Sequence, residues 1–64
     1  MNANANIILE KIKGMTVKAI SYEKVGISIE EFNEAIKYIK QKGLLKLVPV
    51  YEKGKITMIT VVAK

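Results

Sequence analysis

A chain of 64 residues has room for one domain, spanning residues 1–64. With no cysteine and no histidine it excludes disulfides and the common zinc sites. Stability must then come from a dense apolar core, for which 50% of the residues are hydrophobic, or from self-association.

The formal charge of +5 comes entirely from lysine set against glutamate; arginine, aspartate and tryptophan do not occur. Such an excess favours nucleic acid or another anionic partner, and a merely soluble surface is the bland alternative. No apolar run approaches the roughly 18 residues of a membrane span. Met1–Asn6 has no basic region ahead of an apolar stretch, so it does not read as a signal peptide. A soluble, cytoplasmic protein is the expectation. Catalysis is not expected. Glu30 and Glu31 are neighbours on one helix and do not converge, and Lys53-Gly54-Lys55 lacks the spacing of a phosphate-binding loop. No cofactor or metal is expected either.

Ala5, Ile8, Leu9 and Ile12 recur at helical spacing, which predicts a first helix over about Asn4–Lys13. Asn4 suits its N-cap, and Gly14 follows it. Ile7 falls off the stripe and is free to meet something beyond the core. The β-branched Thr16 and Val17 suggest a brief strand near Thr16–Lys18, followed by a short helix over about Ser21–Val25 that Ser21 caps and Gly26 ends. One longer helix over Val17–Lys24 is the competing reading.

Ser28-Ile29-Glu30-Glu31 has the form of a capping box. Behind it Ile29, Phe32, Ala35, Ile36 and Ile39 form an apolar stripe. Three carboxylates lie toward the start of this helix, and Lys37, Lys40 and Lys42 toward its end, as the helix dipole favours. Glu34 can pair with Lys37 at i+3. The helix is placed at Ile29–Lys42, with Gly43 terminating it. The period then changes. Leu44–Tyr51 and Ile56–Val62 read as two strands joined by the polar connection Glu52-Lys53-Gly54-Lys55. Pro49 must turn its missing N–H outward or sit at a bulge.

The layout is therefore α+β, in the order helix, short strand, helix, helix, β-hairpin. The turn Val25-Gly26-Ile27-Ser28, the helix Ile29–Lys42 and the Gly43-Leu44-Leu45 step into a hairpin resemble the winged-helix family of helix-turn-helix domains. More loosely, the chain is similar to the small YjcQ-like winged-helix proteins of Gram-positive bacteria and their phages.

The resemblance implies that Ile29–Lys42 is a recognition helix and the hairpin a wing. Asn33 and Gln41 would then read adenine, Lys37 and Lys40 would reach guanine or phosphate, and Tyr38 would stack on a base. Lys53 and Lys55 would follow the backbone from the wing tip. A transcriptional regulator from a mobile element, bound to duplex DNA, is the leading expectation. Two features oppose simple groove reading: the three carboxylates at the start of the helix and the lack of arginine. The +5 also lies wholly outside residues 28–42.

The hairpin has apolar residues on both faces. Strict alternation places Ile56, Met58 and Val62 on one side and Ile59 and Val61 on the other, with Thr57. One face then calls for a cover, and a homodimer or a protein partner using Ile7, Ile59 and Val61 is expected. Burial of both faces inside one monomer is the alternative. The second functional reading is a protein-interaction module, such as a phage-type protein that binds a host factor.

Overall fold

The computed structural model describes residues 3–14 and 19–63. Three helices and a three-stranded antiparallel sheet follow one another as α1 (Ala3–Lys13), β1 (Ala19–Ser21), α2 (Tyr22–Val25), α3 (Ile29–Lys42), β2 (Lys46–Glu52) and β3 (Lys55–Ala63). The sheet order is β1-β3-β2, with both pairings antiparallel. This arrangement is compatible with a winged-helix-like layout.

The expected strand near Thr16–Lys18 lies outside the described residues. The competing helix over Val17–Lys24 does not form, because Ala19–Ser21 pairs with Thr60–Met58. Asn4 does not cap α1, which begins one residue earlier. Its side chain lies near the Glu31 carboxylate of α3 and adds to the lowering of that group's pKa.

Local chemistry sets the ends of α3. The Ser28 hydroxyl accepts from Glu31 N at 3.1 Å, and the Glu31 carboxylate accepts from Ser28 N at 3.0 Å. Two otherwise orphaned donors are satisfied together. At the other end Gly43 takes φ 67°. Leu44 N donates to Ile39 O and Gly43 N to Lys40 O, the paired bonds of a Schellman stop. Ser21 caps α2 by accepting from Lys24 N at 3.2 Å.

Between these helices and the inner face of the sheet lies one core. Ala5, Ile8 and Ile12 of α1 meet Phe32, Ala35, Ile36 and Ile39 of α3, with Val25, Ile20, Ile56 and Ile59 completing it. The Tyr22 and Phe32 rings meet at 6.4 Å and 55°, within the range of favourable tilted aromatic pairs.

The hairpin corrects the expected facing of β3. Tyr51 pairs with Ile56, but the next residue back along β2, Val50, pairs with Met58, so Thr57 is an extra residue in β3. One extra residue reverses the alternation. Ile56 and Ile59 consequently share the inner face, and Ile59 is fully buried. Val61 is half-buried against the same core. Neither residue is left facing a partner as alternation implied. Met58, from the face assigned to Ile56, is turned outward.

A two-residue turn joins the strands, with Lys53 at φ 52° and Gly54 at φ 81°. Positive φ at both central positions suits the twist of the flanking strands, but a residue with a Cβ is strained there. Lys53→Asn is expected to raise stability by about 0.5–1 kcal/mol, measured by urea denaturation, because asparagine tolerates the left-handed region better.

Candidate nucleic-acid interface

The region where α3 meets the hairpin holds most of the residues assigned to DNA, and the structure gives them different tasks. β1 is only three residues long and ends opposite Met58. Beyond it, the backbone of β3 at Ile56 has no strand beside it on that side. The Asn33 amide takes that place. Its Oδ1 accepts from Ile56 N at 2.9 Å, and its Nδ2 donates to Ile56 O at 3.0 Å and to Ile29 O at 2.7 Å. The side chain thus acts as a one-residue strand partner. Asn33 is not available to read adenine: both amide hydrogens and the carbonyl oxygen are engaged in holding the hairpin to α3.

Lys55 is also committed within the fold. Its Nζ lies 3.2 Å from the Glu30 carboxylate, linking the foot of the hairpin turn to the first turn of α3. This pair is exposed, so it contributes little stability. It does neutralise one lysine assigned to DNA together with one of the opposing carboxylates. Tyr38 is half-buried against the core, and the Lys42 ammonium sits 5.8 Å from its ring centroid. Its ring is not a free platform for a base.

Lys37, Lys40, Gln41 and Lys53 remain exposed. The three lysines form no ion pair among the described residues. The expected Glu34–Lys37 pair is not made either, and both side chains extend into solvent. Lys37 lines an open cleft between α3 and the hairpin turn with Glu30, Asn33, Glu34, Gly54 and Lys55. Lys40 lies further along the helix, in a second groove with Lys46 and the aliphatic Leu45, Leu47, Val48 and Val62.

The three carboxylates of α3 differ in the same way. The Glu31 carboxylate is held below the usual glutamate range, first by the Ser28 backbone N–H and then by the Ser28 hydroxyl, with Asn4 adding to it. That of Glu30 is lowered first by a backbone N–H in the opening turn of the helix and then by Lys55. Both are spent inside the fold, which leaves Glu34 as the acid of this helix without a partner.

No known protein family matches the chain, no curated protein matches it, and no solved structure matches it. The sequence pattern held no local signal for the Asn33 bridge, since its partner lies 23 residues away. Ile56 and Ile59, three apart in a strand, were read by alternation as two apolar faces, whereas the bulge places both on one.

Two predictions follow from these contacts. Asn33→Ala is expected to cost about 2–3 kcal/mol, because it strands a part-buried N–H and C=O of Ile56. Urea denaturation with hydrogen exchange at the Ile56 amide would show it; a loss below about 0.5 kcal/mol would contradict the assigned role. The lowered carboxylates set the pH dependence. A group whose folded pKa lies below its unfolded value stabilises above the unfolded pKa, and that contribution disappears as pH falls through the folded one. Stability should therefore decline as pH drops below the ordinary glutamate range, and Glu31→Gln should flatten that decline in acid titrations followed by circular dichroism.

Proposed function

We propose that this chain is a winged-helix domain that binds duplex DNA through its phosphates, with little discrimination between sequences. The supporting observation is the redistribution of charge around α3. Two of its three carboxylates are occupied internally, while Lys37, Lys40 and Lys53 carry no counter-charge among the described residues. Lys55 cancels the charge of Glu30, so the acidic start of the helix opposes an anionic backbone through Glu31 and Glu34 alone. Lysine is a point charge well suited to phosphate, and the binding energy comes largely from released counterions.

Base reading has less support. Asn33 is bonded to backbone, Glu34 stands at the leading end, and arginine is missing from the chain. Gln41, the other amide side chain of α3, makes no side-chain hydrogen bond among the described residues, and it sits one residue from the end of the helix. Phosphate contacts set position and affinity, while base contacts set specificity. A binder built this way holds DNA without choosing a site.

Fluorescence anisotropy with a duplex of random sequence tests the proposal. Three phosphate contacts should give a log–log salt slope of about −2.7, and each of Lys37→Ala, Lys40→Ala and Lys53→Ala should flatten it by about 0.9. Duplexes of different sequence should bind within about threefold of one another. Absence of binding at about 50 mM salt would overturn the reading.

A further inference from the structure

The outer face of the sheet is not covered by any element of the described chain. By alternation from the buried positions, β2 presents Lys46, Val48, Val50 and Glu52 on this side. Thr60 pairs with Val48, and Met58 with Val50. Ala19 and Ser21 of β1 stand opposite Thr60 and Met58. Val48 is 51% exposed, Val50 44%, Met58 40% and Val62 64%. Between Lys46 and Glu52 the face carries no charge.

The order along β2 is cation, valine, valine, anion. That order is complementary to itself when reversed. A two-fold axis lying between two such faces, and crossing β2 near Pro49, turns the strand end for end. It sets Lys46 against Glu52 of a second copy, Val48 against Val50, and the same contacts again by symmetry. Glu52 is open to this role because its cross-strand neighbour Lys55 is bonded to Glu30. Lys46 likewise has no ion pair among the described residues.

We propose that two copies of this chain pack face to face through the outer surface of the sheet, in a symmetric dimer whose register is set by Lys46–Glu52 pairs. Edge-to-edge pairing is opposed by Pro49, which removes a donor from the exposed edge of β2. Strands of three, seven and nine residues, about 4.8 Å apart and rising about 3.3 Å per residue, present about 300 Å² of face on each copy and about 600 Å² in total, a contact below the standard size of specific interfaces. So small a contact makes the dimer weak, with an expected dissociation constant on the order of 100 µM. Ile7, Ile59 and Val61 take no part. The proposal does not rest on DNA binding, which uses other lysines and is measured separately.

Sedimentation equilibrium from about 5 to 500 µM at low salt tests it. The chain should pass from monomer to dimer across that range. Lys46→Glu and Glu52→Lys should each weaken the dimer at least about tenfold, since each places like charges together twice. The double variant, Lys46→Glu with Glu52→Lys, should restore it to within about threefold. These are exposed positions, and circular dichroism will verify that each variant is folded. A monomer at every concentration overturns the proposal. A dimer indifferent to either single variant, or one that the double variant does not restore, overturns this register.

Discussion

The rest of the structure depends on a single side-chain amide. β1 supplies a strand partner to β3 for three residues and then ends, leaving the backbone of Ile56 facing α3. An unpaired donor and acceptor there, partly shielded from water, would be costly. Asn33 meets both groups at once and donates its remaining hydrogen to Ile29 O. The helix and the hairpin are thereby fixed to each other by directional bonds as well as by the contact of Phe32, Ile36 and Ile56 in the core. Lys55 reaches Glu30 just outside this junction, and the cleft lined by Lys37 and Gly54 takes its shape from it.

That junction also sorts the charged residues into two groups. Side chains that serve the fold take their partners from within it: Glu31 from the cap, Glu30 from Lys55. Those left over along α3 and the hairpin turn are more often cationic, with Lys37, Lys40 and Lys53 set against Glu34 and Glu52. A small domain without arginine or cysteine has few side chains with which to fix its charged groups. Here Glu31 closes the cap of α3 and Glu30 holds Lys55, while Lys37, Lys40 and Lys53 keep their charges in solvent. Apolar surface is divided similarly. The inner face of the sheet builds the core, and the outer face keeps Val48, Val50, Met58 and Val62 in water.

Much of the architecture was legible because it rests on local rules. The capping box at Ser28 and Glu31, the stripe from Phe32 to Ile39, the stop at Gly43 and the turn at Lys53-Gly54 each follow from a few neighbouring residues. What escaped has a non-local cause. A single extra residue at Thr57 carried Ile59 from the expected partner surface into the core. Asn33 looked like a base reader because nothing nearby in the chain indicates that β1 stops short of Ile56. Ion pairs were legible only as options: composition permits Glu34–Lys37, while the folded chain forms Glu30–Lys55. The candidate interface was thus visible as a collection of residues, but not the division of labour among them.

The shortness of β1 has a consequence for how the chain folds. The bonds between Asn33 and Ile56 close a loop of 23 residues, whereas pairing Ile20 with Ile59 joins residues about 40 apart, a difference in closure entropy of about 0.5 kcal/mol. The nearer contact also brings together the two elements with the strongest local signals, the capped helix and the tight hairpin. Assembly is therefore favoured to begin at α3 and the hairpin, with β1 adding last to a template already formed. In the native state the same asymmetry runs in reverse. A three-residue strand tethered by the longest loop is the first part of the sheet to open, and amide exchange should be fastest along its ladder with β3.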